Sequence, residues 1–135
     1  MMTTSDTQHS QKSNGVDPQL GRPGGLTYLE IPAADFNRSA AFYAAVLGWK
    51  TRGDAADMSR FSDPAGYLIG RFVRDRSASR PGLLPFIYIN QIADAVNRVA
   101  QHGGEVVKPP YAEGNLLVAI VRDPAGNTIG LWEAA

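Results

Sequence analysis

Two side chains two residues apart, Tyr28 and Glu30, are the best candidates in this 135-residue chain for proton chemistry. They fall in Leu26-Thr27-Tyr28-Leu29-Glu30-Ile31, a segment that reads as a β-strand ended by Pro32. Alternation puts both on one face of that strand, with Thr27, Leu29 and Ile31 on the other. A carboxylate on an apolar strand face gains a raised pKa and can serve as general base, with the phenol as acid. The competing role for Glu30 is an ion pair with Arg60 or Arg71 from an adjacent hairpin. Arg60 also suits an anionic ligand, because its planar fork matches an oxyanion. The rest of the inventory is short. The chain has no cysteine, which excludes disulfides, thiol nucleophiles and thiolate ligation. Its two histidines, His9 and His102, fall in a polar tail and at a helix end, too far from partners for a zinc site or a Ser–His–Asp set. His102 reads as a residue that satisfies helix-terminal carbonyls. A carboxylate-held Mg²⁺ or Mn²⁺ at Glu30 is the one metal site these residue types leave open. No Gly-rich loop follows a strand and opens a helix, so no nucleotide-phosphate site is expected.

The elements that must position these groups are announced by a repeat. Asp-Pro-Ala-Gly-x-x-Ile-Gly occurs at 63–70 and again at 123–130, six identities in eight positions. Asp, Pro and Gly at those places are what a tight turn prefers, so Asp63 and Asp123 read as turn caps. Apolar, β-leaning residues flank each copy, which predicts two strand–turn–strand hairpins. Upstream of each lies a strand followed by a helix: residues 35–47, with Asp35 as N-cap and Gly48 as stop, and residues 92–102, stopped by Gly103-Gly104. The order β-α-β-β-β therefore recurs, as expected of one supersecondary unit used twice. Residues 1–24 are polar and rich in Gly, Pro, Ser and Gln, and are expected to be disordered or loosely attached. The remainder, 25–135, is expected to form a single domain: module one at 25–73, a linker at 74–83 and module two at 84–133.

Thirteen basic and thirteen acidic residues cancel without forming a block, so neither nucleic acid nor membrane is an expected partner. The longest apolar run, Leu116 to Val121, is too short to span a bilayer. No signal-peptide core opens the sequence, and a cytoplasmic location is expected.

The stretch YLEIPAADFNRSAAFYAAVLGW, a DPAG hairpin, and a second module ending DPAGNTIGLWE together resemble the vicinal-oxygen-chelate superfamily over residues 25–133. That superfamily contains glyoxalase I, bleomycin-resistance proteins and extradiol dioxygenases. The Gly48-Trp49 and Gly130-Leu131-Trp132-Glu133 details are most similar to its glyoxalase-like or hydroxylase-like branch. The resemblance implies an α+β fold, with two βαβββ modules in tandem, each a curved mixed sheet with one helix, forming a cleft. It also implies where metal-using relatives carry ligands: on the first strand of a module, near Tyr28 and Leu84, and after the turn, at Gly70 and Gly130. Tyr is a rare donor, and Leu and Gly have none, so no metal and no other cofactor is expected.

By alternation the cleft is expected to be walled by Tyr28, Glu30, Gly70, Phe72, Leu84, Phe86, Tyr88, Thr128, Gly130 and Trp132, with Arg60 on the hairpin. The paired glycines are expected to deepen it. The reading is a metal-independent binding protein for an apolar-aromatic small molecule. The alternative is a lyase, isomerase or hydroxylase-like enzyme using Glu30 with Tyr28, or a weak carboxylate-held metal. A third is a structural module whose aromatics fill their own cleft. The superfamily often dimerises, so a homodimer is expected, with the cleft either intrachain or completed by the partner.

Overall fold

The computed structural model describes residues 17–23, 25–52, 58–78 and 84–135. His9, and the greater part of the tail expected to be loose, lie outside the described residues, as does 79–83 of the expected linker. Residues 17–23 form a turn, and Arg22 ties it down by donating to the carbonyl of Tyr67 at 3.2 Å.

The expected order is present twice. Module one comprises β1 (Tyr28–Pro32), α1 (Phe36–Leu47), β2 (Lys50–Arg52), β3 (Arg60–Ser62) and β4 (Ile69–Val73). Module two comprises β5 (Phe86–Tyr88), α2 (Ile92–Gln101), β6 (Glu105–Glu113), β7 (Leu116–Arg122) and β8 (Thr128–Ala134). Each makes a four-stranded sheet, ordered β1-β4-β3-β2 and β5-β8-β7-β6, in which the first strand runs parallel to its neighbour and the rest are antiparallel. Strands β1 and β5 are thus both sheet edges. The opposite edge β6 carries Pro109 and Pro110 and two register shifts, features that blunt an edge against further pairing.

Local chemistry explains the helices. Asp35 Oδ1 accepts from the N–H of Arg38 at 3.1 Å, and Gly48 closes α1 in the left-handed region at φ 75°. Helix α2 lacks such a cap, because Gln91 precedes it at φ 59° with no side-chain bond. Glu133, from the far end of β8, substitutes: its Oε1 accepts from the N–H of Ile92 at 2.7 Å.

One hydrophobic core spans both modules. Module one fills its part with a ring of aromatics, with centroids 5.0 Å apart for Tyr43–Trp49, Trp49–Phe61 and Phe61–Phe72 and 5.9 Å for Tyr43–Phe72. Module two contributes aliphatics, among them Val99, Val121, Ile129 and Leu131. The helices meet between the sheets. Arg98 Nε donates to the carbonyl of Ala45 at 2.9 Å, and a Cβ on Gly104 would come within 2.6 Å of the Phe42 ring.

The two DPAG hairpins are not superposable. In the first, Asp63 N–H closes the loop onto the carbonyl of Leu68; in the second, Asp123 N–H closes onto Asn127, one residue sooner. Ser62 therefore pairs with Ile69, whereas Arg122 pairs with Thr128. A one-residue change of register turns every following side chain to the other face. Gly70 pairs with Phe61 and Leu29 on the helix-covered face, while Gly130 pairs with Ile120 and Phe86 on the uncovered one.

Candidate functional site

Between the edge strands β1 and β5 runs a groove of about 870 Å³. One wall is Leu29 to Pro32, the other Pro85 to Tyr88, and the floor is made by Tyr43, Trp49 and Ile129 from the shared core. The first DPAG turn, through Asp63-Pro64-Ala65 with Tyr67 and Leu68, closes one end, and Asn127 with Thr128 supplies polar groups at the other. The wall backbones add more. In β1, Thr27 and Ala33 bond to β4, so alternation turns the amide groups of Tyr28 and Glu30 outward from the sheet edge. In β5, Pro85 and Ile89 bond to β8, which leaves Phe86 and Tyr88 directed outward. An apolar concavity with a few converging polar groups is the usual form of a small-molecule site.

Of the residues expected to wall the cleft, Glu30, Phe86, Tyr88 and Thr128 line this groove. Several do not, and the register explains each. Phe72, expected on the cleft wall, is 1% exposed and packs against Phe36, Tyr43 and Phe61 in the core. Gly70 shares that covered face, and a Cβ there would collide with the Leu29 carbonyl and the Phe61 ring. Gly130 faces the open side, but a Cβ would collide with the Phe86 ring lying over it. The glycines therefore do not deepen a pocket; they admit aromatic rings. Tyr28, Arg60 and Trp132 sit on the uncovered sheet faces, with Trp132 edge-on to Tyr88 at 4.9 Å. Leu84 is half-buried just before β5. Missed by alternation were Leu29, Ile31, Ile87 and Ile129, because the groove opens between sheet edges and not across a sheet face. The available signal was the apolar pair Tyr67-Leu68 inside a turn, where polar residues are usual.

Glu30 is paired, though with neither of the expected arginines. Its Oε1 accepts from Arg76, and its Oε2 accepts from Tyr28 Oη at 3.0 Å. These two hydrogen bonds, Arg76 first, hold the carboxyl below the usual carboxylate range, opposite to the raised value expected of an apolar strand face. Tyr28 is pushed above the ordinary phenol value by desolvation and by the carboxylate it serves. The pair is thus an ionised acceptor and a tightly held donor.

A metal does not fit these residues. Tyr28 already serves Glu30, while Leu84, Gly70 and Gly130 bring no donor. The flipped register also puts Arg71, not Gly70, on the uncovered face opposite Glu30, and a guanidinium repels a cation. Among the described residues no group of three or more His, Cys, Asp or Glu converges.

The second repeat has another role. Asp123 is 3% exposed and accepts from Tyr43 Oη at 2.9 Å, from the N–H groups of Ala125 and Asn127, and from Asn127 Nδ2. Asn127 Nδ2 also reaches the carbonyl of Pro32 at 2.7 Å. The turn of module two is therefore bonded to α1 and β1 of module one directly beneath the groove. Burial, with the Asp123 carboxylate beside it, pushes the Tyr43 phenol well above its ordinary value.

The sequence model of the Glyoxalase/Bleomycin resistance protein/Dioxygenase superfamily matches residues 25–131. A Mycobacterium bovis protein named "Putative glyoxylase CFP32" is 22% identical over 122 residues, which cover 84% of this chain and 47% of that protein. The chain thus spans about half the length of the curated relatives it matches. Among solved structures, a glyoxalase/bleomycin resistance protein/dioxygenase family enzyme from Burkholderia phytofirmans PsJN superposes with a TM-score of 0.68 at 17% identity, over 83% of this chain and 100% of that one. TnmS3, an antibiotic binding protein from Streptomyces sp. CB03234, gives 0.63 at 19% identity, over 83% and 97%. At such identities the likeness is one of fold. No helix among the described residues is long and apolar enough to cross a membrane.

Proposed function

Because the chain belongs to the glyoxalase/bleomycin resistance protein/dioxygenase superfamily, whose fold serves many chemistries, we propose a function from its groove: metal-independent binding of a small apolar-aromatic molecule. The observation that carries this is the apolar channel of about 870 Å³ between β1 and β5, with Glu30, Thr128, Asn127 and two free strand edges as its polar groups. The same fold in TnmS3 belongs to an antibiotic binding protein, which supports the reading. A lyase, isomerase or hydroxylase-like role for Glu30 draws less support. A carboxyl held below its usual range is a weak base near neutral pH.

The exposed surface of module two supports a reading of the oligomeric state. On module two the uncovered sheet face shows Phe86 at 49% and Tyr88 at 54% exposure, and a second copy covering that face is the homodimer we propose, in a cytoplasmic setting. Light scattering reads the mass directly, and a monomer at micromolar concentration removes the dimer.

The functional test is metal analysis of the purified chain joined to a thermal-shift screen. N-phenyl-1-naphthylamine, a neutral aromatic dye, should raise Tm, while Zn²⁺, Mg²⁺, Mn²⁺ and Ni²⁺ should not. Stoichiometric bound metal, or stabilisation by several degrees with any of these ions, would sink the metal-free reading.

A further inference from the structure

The uncovered face of sheet one carries cations in a row. The register sets Arg52 opposite Arg60, Arg60 opposite Arg71 and Arg71 opposite Glu30, so four neighbouring strands each give one residue to a line across the sheet. All three arginines are exposed, and the residues that alternate with them, Phe61 and Phe72, are in the core. Neighbouring strands lie about 4.8 Å apart, and like charges directly opposite one another destabilise a sheet. Two such pairs in succession are unfavourable for folding. Among the described residues no carboxylate lies within ion-pair distance of Arg52, Arg60 or Arg71. Lys50, across from Ser62 on the next row, adds a further positive charge to that face. The chain as a whole is neutral, with thirteen charges of each sign, so the row is a local concentration and not a general basicity.

At the β1 end of the row sits a carboxylate, Glu30, whose hydrogen bonds come from Arg76 and Tyr28 and not from the row. The two strands beyond present Arg71 and Arg60 with no carboxylate within ion-pair distance among the described residues. We propose that Arg60 and Arg71, with Arg52 at the outer end, bind the acidic group of a small organic anion whose apolar body lies in the groove beside β1. Two guanidinium forks on adjacent strands can each give paired N–H donors to one carboxylate, sulfonate or phosphate. The distance is suitable, since β4 and β3 stand one and two strands from the groove, about 5 and 10 Å. The placement of the apolar body rests on the groove reading above; the anion site rests on the row alone.

Paired dyes separate the two. 8-Anilino-1-naphthalenesulfonate carries the acid on essentially the same ring system that N-phenyl-1-naphthylamine presents without it. In fluorescence titrations at low salt, the sulfonate should bind the full chain about tenfold more tightly than the neutral dye. The double variant Arg60→Gln/Arg71→Gln should abolish that advantage and leave the neutral dye unchanged. Arg122→Gln, which removes the same charge from sheet two, should have no effect on either dye. Equal affinity for the two dyes, or an advantage that survives the double variant, overturns the anion site. A direct readout covers the case in which the groove itself fails. The Nε–Hε cross-peaks of Arg60 and Arg71 should shift on titration with inorganic pyrophosphate. Shifts there without neutral-dye binding sink the groove and keep the row; peaks that stay fixed sink the row.

Discussion

The two modules repeat one topology and spend their side chains in opposite ways. Module one has an aromatic core beneath a charged open face; module two has an aliphatic core beneath an aromatic one. Their first strands show the contrast at one point: Tyr28 donates to a carboxylate, Glu30, two residues on, and Tyr88 donates to an amide, Asn90, also two residues on, each at 3.0 Å. On the open faces the row of like charges belongs to module one, whereas module two pairs Arg122 with Glu105 at 3.1 Å and exposes Phe86 and Tyr88. The duplicated turns differ as well. Asp63 is a partly exposed cap that accepts from Gly66 at 2.7 Å and Leu68 at 3.2 Å, whereas Asp123 is a buried junction between modules. Duplication supplied two copies of a scaffold, and a one-residue difference in loop closure gave them different faces to work with.

The comparison predicts unequal responses to equal substitutions. The largest difference should come from the aspartates. Asp123→Ala leaves the Tyr43 hydroxyl buried without its partner and should cost about 3 kcal/mol, against about 1 kcal/mol for Asp63→Ala. Urea denaturation of the two variants measures both, and equal losses would break the distinction drawn between the turns.

Next come the glycines. Gly70→Ala drives a methyl into the Leu29 carbonyl and should cost about 2–3 kcal/mol. Gly130→Ala meets only the edge of the half-exposed Phe86 ring, which can turn away, so its cost should stay below about 1 kcal/mol. Its mark should appear in dye affinity, because Phe86 lines the groove.

Tyr43 gives a pH signature. Its folded-state pKa is raised, so the contribution is complete below the ordinary phenol value of about 10 and is lost as pH climbs through the raised one. Tyr43→Phe should remove this part of the loss of stability as pH rises above about 10 in thermal melts. The smallest effect belongs to Gln91, which occupies the left-handed region before α2. Gln91→Gly should stabilise the chain by about 0.5–1 kcal/mol, read as a raised Tm.

Much of this architecture was legible in the sequence, because turn chemistry and helix caps are local. The DPAG turns, the Asp35 and Gly48 boundaries of α1 and the doubled β-α-β-β-β order all follow from residues acting on near neighbours. The faces of β4 were not legible. They depend on whether the loop closes at Leu68 or earlier, and octapeptides identical at six of eight positions gave different answers. The groove was half legible for the same reason. Alternation identifies a sheet face, and Glu30, Phe86 and Tyr88 were found by it. Which two edges face each other depends on Tyr43, Asp123, Asn127 and Pro32 meeting across the chain, and no local pattern encodes that meeting. The partner of Glu30 was not legible either, since Arg76 lies in the segment after β4 whose composition is that of a linker.

The most direct test of the central claim locates a bound molecule. Methyl NMR of the chain, dialysed against EDTA and titrated with N-phenyl-1-naphthylamine, reports on both regions at once. The groove account predicts saturable shifts at Leu29, Leu68, Ile87 and Ile129, with Leu116 and Ile120 on the open face of sheet two unmoved. Shifts confined to Leu116 and Ile120, or shifts at the groove that appear only when a divalent metal is restored, would contradict it.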